Sequence, residues 1–419
     1  MWEKIGEILA EARGEFAEVF AEEVETTSLV CEENKIEKII SGKDAGYGLR
    51  VITGTTTTYN CKTMEPETKR LGSLIPIEQK VEIVNLINKT TRSFGEKIKQ
   101  VTVRYNDTLQ KVKIVNSEGL SVEDERLRTR VFIQVVAAKD GVLQTGIEAP
   151  GILGGFELFA KYSPEEIARK AAERALLMLE AQPAPAGKLP VVLAAEAGGV
   201  MIHEACGHGL EADYVLKETS IYTGKFGTKV ASELVTVIDD ATLIQNHGSF
   251  KFDDEGTPAQ KTILIENGIL KNYLTDRYNA KLLKLKPTGN GRRESFRFKP
   301  VPRMTNTFIA PGKTDPKEII DSIKYGLLVK KMGGGEVNPV NGDFVFEVSE
   351  GYLIENGKIK YPVRGAVLTG NGPEVLKQID MVGSDLDFMA GVCGKFDHVP
   401  VSDGQPTLRI PAMIVGGRI

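Results

Sequence analysis

The chain is organised around the stretch Met201-Ile202-His203-Glu204-Ala205-Cys206-Gly207-His208-Gly209-Leu210-Glu211. Two of the four histidines in the sequence lie here, and a glutamate directly follows the first of them. Imidazole is a common zinc ligand, and a carboxylate beside a metal ion can act as a general base. The stretch therefore predicts a divalent-metal site on a helix, with Glu204 as the base.

The spacing of the two histidines is unusual, because they are five positions apart rather than four as in H-E-x-x-H sites. On a regular helix a spacing of five places two side chains roughly 140° apart, so both cannot face one ion. We therefore expect either a bulged or overwound helix, or a helix that ends before His208. Gly207 and Gly209 would permit either departure at little steric cost. The alternative is a core histidine at 203 and a loop histidine at 208, but their clustering favours a metal site.

A catalytic zinc usually has three protein ligands and one open position. Candidates for the third ligand are Cys393, His398, His247 and the acidic run at residues 253–255. Thiolate is a strong zinc ligand, and the glycines at 391 and 394 allow the backbone close to an ion, so the chemistry favours Cys393. We expect His247 and His398 to be surface residues or residues behind the ligands.

Length and composition favour a soluble, cytoplasmic protein of two or three domains. The chain has 419 residues, and its four cysteines are scattered without a C-x-x-C pair, which is typical of a reducing compartment. Neither a secretory signal nor a membrane-spanning apolar run is apparent. The formal net charge is −4 and there is no long basic block, so we expect neither nucleic acid nor membrane as a partner.

The first half of the sequence predicts helices and antiparallel strands. We expect helices over residues 1–22, 76–94 and 164–180, the last with Ser163 as its N-cap. We expect strands over residues 26–31, 46–53, 55–60, 100–114 and 126–138, with turns near Gly54 and at residues 116–119.

The second half predicts mainly strands. Two prolines and small residues at 183–189 indicate a linker between an N-terminal α+β domain at 1–182 and a β-rich domain at 190–419. We expect strands over residues 188–195, 232–239, 261–266, 270–273 and 344–354, and a helix over 316–325. The predicted class is α+β, with a largely antiparallel C-terminal domain that carries the metal-site helix.

Other motifs are weaker. Arg292, Arg293 and Arg303 could clamp a substrate carboxylate, although structural ion pairs are the simpler interpretation. No complete phosphate-binding glycine motif is present, which disfavours nucleotide binding. Cys206 raises the alternative of a thiol enzyme, but that nucleophile needs a nearby base free of metal.

The sequence resembles the TldD/PmbA family of metalloproteases, on the TldD side. The matching motifs are His-Glu-Ala-Cys-Gly-His-Gly-Leu-Glu at 203–211, Asp-Asp-Glu-Gly-Thr-Pro at 253–258, Gly-Asn-Gly-Arg-Arg-Glu-Ser at 289–295, Pro-Arg-Met-Thr-Asn-Thr at 302–307 and Val-Cys-Gly-Lys at 392–395. They are long and specific and span the C-terminal half, whereas the N-terminal half resembles the family more loosely.

The resemblance implies a zinc-dependent peptidase that acts on unfolded or flexible peptides. It implies His203, His208 and Cys393 as zinc ligands and Glu204 as the general base. It also implies a dimer, formed with a second copy or with a PmbA (TldE) subunit. His398 departs from the family pattern, so it stays a second candidate for the third ligand beside Cys393. The main alternative is a subunit that holds extended peptides without cleaving them.

Overall fold

The computed structural model describes residue 2, residues 4–66 and residues 75–417. The N-terminal part is one antiparallel sheet with strand order β3-β2-β1-β4-β5-β6, and a short β7 also pairs with β5. Its strands are β1 (Phe16–Glu32), β2 (Lys35–Thr53), β3 (Thr56–Thr63), β4 (Ile98–Asn116), β5 (Ser121–Lys139), β6 (Val142–Glu148) and β7 (Gly151–Leu153).

Helices cover one face of this sheet: α1 (Ile5–Glu11), α2 (Ile77–Arg92), α3 (Glu157–Lys161) and α4 (Pro164–Leu179). Helix α4 begins as predicted, because the Ser163 hydroxyl accepts a hydrogen bond from the Glu166 backbone N–H. It buries a stripe of small residues at helical spacing, Ala168, Ala171, Ala172 and Ala175. The helix lies so close to β6 that a Cβ on Gly146 would be 2.0 Å from the Ala171 carbonyl oxygen.

The predicted hairpin at residues 46–60 and the predicted strand pair around the 116–119 turn are confirmed as β2–β3 and β4–β5. The predicted helix over residues 1–22 is wrong beyond residue 11. Phe16, Val19 and Phe20 have helical spacing, but they lie in β1, which pairs with β2 and β4 along most of its length. Residues 1 and 3 of that prediction lie outside the described residues.

The C-terminal part contains two larger sheets and is largely antiparallel, as predicted. Its strands are β8 (Gln182–Pro183), β9 (Gly187–Leu193), β10 (Val237–Asp240), β11 (Lys261–Glu266), β12 (Ile269–Leu270), β13 (Gly291–Arg292), β14 (Val301–Pro302), β15 (Asn306–Ile309), β16 (Tyr325–Val337), β17 (Asp343–Glu355), β18 (Lys358–Arg364), β19 (Val367–Asn371), β20 (Met381–Val382), β21 (Asp387–Gly394), β22 (His398–Gln405) and β23 (Leu408–Gly416). The predicted strands at 188–195, 261–266 and 344–354 correspond to β9, β11 and β17, whereas β10 and β12 are shorter than predicted.

One sheet closes on itself, because β16, β9, β23, β19 and β17 pair in that order and β17 pairs again with β16. The other sheet has strand order β12-β11-β10-β15-β22-β21, which leaves β21 at its edge. The helices of this part are α5 (Val200–Ile202), α6 (Ala212–Leu216), α7 (Arg277–Leu283), α8 (Pro316–Asp321) and α9 (Gly372–Gln378). Helix α8 ends four residues before the predicted end at residue 325. No helix of the described residues is long and apolar enough to cross a membrane.

Buried ion pairs join the N-terminal sheet to the C-terminal part. Arg293 donates to Glu18 of β1, and Arg126 of β5 donates to Asp254, at 2.8 and 2.7 Å. Arg50 of β2 likewise pairs with Glu255 at 2.5 Å. Asp254 and Glu255 therefore neutralise arginines of the N-terminal sheet. Arg293 is in a structural ion pair, which is the simpler interpretation that the sequence gives for it. A buried pair of this kind is costly to break on one side only.

Candidate metal centre

The helix of the histidine segment widens into a π-helical turn between the two histidines, which lie five positions apart. After α5 the chain forms a π-helical turn over His203–Gly207, and residues His208–Leu210 continue as a 3₁₀ turn. The His208 backbone N–H donates to the His203 carbonyl oxygen, which closes a turn of five residues. The two imidazole rings consequently lie on one side, with centroids 5.0 Å apart. Of the alternatives drawn from the spacing, the bulged helix is correct.

The flanking glycines serve close packing rather than an unusual backbone conformation. Gly207 has φ −55°, which any residue can adopt. A Cβ at Gly207 would lie 2.0 Å from the Met304 sulfur, and one at Gly209 would lie 2.7 Å from the Tyr222 ring. The expectation that these glycines ease a backbone departure is therefore wrong. They allow the turn to pack against Met304 and Tyr222.

A cysteine from the distant edge strand β21 completes the cluster. The Cys393 sulfur lies 3.1 Å from His203 Nε2 and 3.4 Å from His208 Nε2. Among the described residues, these three form the group of ligand-type side chains close enough to share a metal ion, with their ligand atoms within 4.8 Å of one another. The residues predicted as ligands are thus together in space, and their binding of a metal stays a prediction.

Carboxylates hold the other nitrogen of each imidazole. His203 Nδ1 lies 2.6 Å from Asp403 Oδ1, and His208 Nδ1 lies 3.1 Å from Glu211 Oε2. Carboxylates in this position fix the orientation and tautomer of metal-binding histidines and make them better donors. Sequence reasoning assigned neither residue. Glu211 was within reach, since it follows His208 by three residues, whereas nothing in the sequence marks Asp403.

The charges of the cluster favour the ligand form of the cysteine. Burial opposes a thiolate, but His203 and His208 lower the pKa of Cys393 to about 5. Burial likewise opposes an imidazolium at His208, yet Glu211 and Cys393 raise its pKa to about 9. A thiolate beside two imidazoles is the donor set that zinc prefers, so these residues fit that ion.

Two buried cations anchor the carboxylate and the strand behind the cluster. Lys395 Nζ lies 3.0 Å from Glu211 and 2.7 Å from Asp213. Arg303 Nη2 donates to the Cys393 carbonyl oxygen at 2.7 Å, and its Nη1 pairs with Asp397. Burial opposes ionisation of Glu211, but Lys395 and His208 lower its pKa to about 2. Arg303 is therefore a structural cation rather than a free clamp for substrate.

Glu204 lines an open cavity beside the cluster, as Asp403 also does. The cavity has a volume of about 540 Å³, and His203, His208 and Cys393 also line it. Burial raises the pKa of Glu204, although His203 and His208 oppose the shift. A carboxylate with a raised pKa is suited to accept and return a proton near neutral pH.

The remaining candidates lie elsewhere. His247 is buried beside β7, where burial and the nearby Arg128 and Arg130 lower its pKa to about 3. His398 is exposed and lies 3.4 Å from Glu294. Cys206 is fully buried, and burial raises the pKa of its thiol to about 12, so it is a poor nucleophile. His398 is a surface residue, which is one of the two positions expected for it, whereas His247 is buried and its Nδ1 lies 3.5 Å from the Ile152 carbonyl oxygen.

Comparison with known proteins assigns the whole chain to one class. Three family models match in order: PmbA/TldA metallopeptidase domain 1 at residues 17–69, the central domain at 72–179 and the C-terminal domain at 186–417. A metalloprotease TldD homolog from Haemophilus influenzae is 42% identical over 348 residues, covering 81% of this chain and 72% of the relative. A metalloprotease from Methanothermobacter thermautotrophicus is 35% identical over 451 residues, covering 99% and 98%. The chain therefore belongs to the PmbA/TldD family of metallopeptidases.

Solved structures share the fold at lower identity. A protein from Thermotoga maritima, described as a candidate modulator of DNA gyrase, matches with a TM-score of 0.83 and 22% identity, covering 99% of this chain and 100% of that one. TldE from Thermococcus kodakarensis matches with a TM-score of 0.77 and 21% identity, covering 99% and 98%. At such identities the likeness concerns the fold alone.

Proposed function

We propose that this chain is a zinc-dependent metallopeptidase that hydrolyses unfolded or flexible peptides. His203, His208 and Cys393 hold the zinc, and Glu204 is the general base. The observation that carries the proposal is the convergence of His203 Nε2, His208 Nε2 and the Cys393 sulfur, with a carboxylate behind each imidazole. Zinc bound there would act as a Lewis acid and lower the pKa of a water molecule.

The residues around the cluster divide the work of hydrolysis. Glu204 accepts the proton of the attacking water at a carboxylate oxygen and passes it to the leaving amine. Asp403 and Glu211 keep both imidazoles aimed at the centre of the cluster. Lys395 balances the charge of Glu211, so that carboxylate stays ionised beside His208.

The edge strand β21 provides a way to hold peptide main chain beside the cluster. Strand β21 carries Cys393 and pairs with β22, and no other described strand pairs with its outer edge. The cavity beside it is bounded on another side by Gly335 and Glu336 of β16. A peptide added as a strand to this edge would be bound mainly through its main chain. Only an unfolded segment can present its backbone in this way.

We further propose that the chain acts as a dimer, with itself or with a TldE-type subunit, and that residues 183–189 separate domains at 1–182 and 190–419. An exposed edge beside a catalytic centre invites aggregation unless a second subunit covers it. Helix α4 ends at Leu179, and β8 at Gln182–Pro183 already pairs with β18 of the C-terminal part. The segment 183–189 therefore overlaps the end of β8 and the start of β9, and the change between the two parts falls close to it.

A digestion series tests the substrate class. We expect the zinc-loaded protein to cleave a denatured domain and flexible peptides and to leave the compact form of the same domain intact. A zinc chelator should abolish cleavage, and added zinc should restore it. Solution mass measurement of the same sample tests the dimer. Equal cleavage of the folded and denatured forms, or full activity in a strict monomer, would contradict the proposal.

A further inference from the structure

A second cavity next to the candidate metal centre has five arginines in its lining. It has a volume of about 350 Å³ and lies between the N-terminal sheet and the C-terminal part. Alternate residues of β5 place three arginines on the face of the sheet that borders the cavity. Five guanidinium groups line it, against the carboxylates of Asp254 and Glu294: Arg126, Arg128, Arg130, Arg292 and Arg293.

These arginines differ in how their charge is balanced. Arg126 and Arg293 each pair with carboxylates. Arg128 donates to the carbonyl oxygens of His247 and Ser249, and Arg292 to that of Met304. None of the ion pairs among the described residues includes either of these two.

The Arg130 side chain has neither a hydrogen bond nor an ion pair within the described part of the chain. Its Nε is buried without a partner, and so is the Nε of Arg293 in the same cavity. Burial lowers the pKa of Arg130, and no carboxylate offsets the shift. Burial, with help from Arg126, also lowers the pKa of Arg128 to about 9. Arg128 is buried and Arg130 is half-buried, and neither has a counter-charge within the described residues. Removing a cation from water without a counter-charge is costly, so an anion that enters this cavity would relieve that cost.

Arg130 connects this cavity to the metal centre. Arg130 and Val392 line both the arginine cavity and the cavity that contains His203 and Glu204. Val392 precedes Cys393 on β21, and because successive side chains of a strand point to opposite faces, the Val392 side chain lies on the face opposite to that of the Cys393 sulfur. A peptide added to the edge of β21 would alternate in the same way and direct every second side chain toward the arginine face.

We propose that the arginine cavity binds a carboxylate of the peptide substrate, with Arg130 as the residue that determines specificity. This inference rests on the proposed function, since the peptide must lie along β21. The carboxylate is that of an aspartate or glutamate side chain, or the peptide's terminal carboxylate, placed close to the bond that is cleaved. An arginine fork matches a carboxylate geometrically and adds charge-assisted hydrogen bonds.

The first experiment measures the site without hydrolysis. Inorganic phosphate is titrated into the full zinc-loaded protein by calorimetry, for the wild type, Arg130→Gln, Arg130→Lys and the control Arg13→Gln. Arg13 is exposed and lines neither cavity. We expect Arg130→Gln to weaken phosphate binding roughly 10- to 100-fold, as for a lost hydrogen bond between charged groups. Arg130→Lys should restore part of the affinity, and Arg13→Gln should match the wild type. Equal phosphate binding by the wild type and Arg130→Gln, or no phosphate binding by either, would overturn the claim that this cavity binds an anion through Arg130.

The second experiment identifies the source of the carboxylate. Flexible peptides that differ only by glutamate or glutamine near the cleaved bond, each with a free or amidated C-terminus, are compared by kcat/KM. We expect the wild type to prefer one carboxylate-bearing peptide, and Arg130→Gln to reduce that preference by about tenfold or more. If phosphate binds but no peptide is preferred, the proposal that the cavity binds a carboxylate of the peptide substrate is overturned. The cavity would then be a site for free anions. If the wild type cleaves none of the peptides, the proposed function is contradicted instead. Phosphate binding then still tests whether the cavity binds an anion.

Discussion

The Cys393 sulfur lies 3.1 Å from His203 Nε2, although the two residues are 190 positions apart in the chain. One of them belongs to a π-helical turn and the other to the edge strand of a sheet. The cluster therefore forms only when β21 has paired with β22 and the histidine turn has packed against it. Arg303 Nη2 also donates a hydrogen bond to the Cys393 carbonyl oxygen, which helps to fix the position of β21.

Removal of a proposed ligand should remove the metal. We expect about one zinc per wild-type chain and greatly reduced zinc in His203→Ala and Cys393→Ala, since a catalytic zinc relies on three protein ligands. Elemental analysis of purified, dialysed protein is the measurement. His398→Ala is the control and should keep full zinc, because His398 is exposed and bonded to Glu294. Full occupancy in either ligand variant would remove that residue from the ligand set.

The carboxylate behind His203 should tune the metal affinity. Asp403→Asn keeps the shape of the side chain but removes its charge, and we expect zinc to bind roughly 10- to 100-fold more weakly. Competition with a chromogenic chelator gives the dissociation constant. Glu165→Gln, an exposed carboxylate on α4, makes the same change of charge and should bind zinc as the wild type does. Identical affinities for Asp403→Asn and the wild type would show that this hydrogen bond does not support the centre.

The four cysteines should differ in their reactivity toward iodoacetamide. Cys61 is exposed and should react in the native protein, whereas Cys31 and Cys206 are buried and should react only after unfolding. Cys393 should be protected by zinc and become reactive when zinc is chelated, because nearby histidines lower its pKa to about 5. Mass spectrometry of the labelled peptides reads out each site. Labelling of native Cys206 ahead of Cys393 in the chelated protein would favour the thiol-enzyme alternative.

Glu22 should make the protein less stable as the pH rises from acidic to neutral. Burial raises the pKa of Glu22 from 4.5 to about 7. Between these values the unfolded chain has lost the proton that the folded chain retains, so the free energy of unfolding falls with pH and levels off above about 7. One unit of pKa shift corresponds to about 1.4 kcal/mol. The unfolding free energies of the wild type and Glu22→Gln are measured by denaturant titration from pH 4 to 8. As the pH rises, the wild type should lose stability relative to Glu22→Gln. A difference between the two proteins that stays constant with pH would contradict this prediction.

Local patterns predicted the elements whose signals are complete within a short window. The Ser163 cap and the turn at Gly54 are examples, since each determines an element through neighbouring residues. The N-terminal helix prediction failed at Phe16 because a helical spacing of apolar residues also fits a strand buried between β2 and β4. Tertiary pairing decided between the two, and the sequence alone does not display that pairing.

The site shows the same division. The histidine pair and the base stand together in the sequence, and their five-residue spacing indicates that the helix either bulges or ends before His208. The structure has the bulge. Asp403 could not be found in this way, because its role depends on a contact with a residue 200 positions earlier. Gly207 was assigned the wrong role because its neighbour Met304 comes from another part of the chain. The spacing of residues predicts the local backbone conformation. Contacts between distant segments, which spacing does not show, determine the roles of Asp403 and Gly207.

The central claim is that Glu204 is the proton acceptor of a zinc peptidase, and Glu204→Gln tests it most directly. The amide cannot accept a proton, while His203, His208 and Cys393 are untouched. Zinc content and kcat on a flexible peptide are measured on the same preparation, with Cys206→Ala as the control. We predict full zinc in Glu204→Gln and a fall in kcat of at least about 100-fold, with most activity kept in Cys206→Ala. Full zinc together with wild-type turnover in Glu204→Gln would contradict the account.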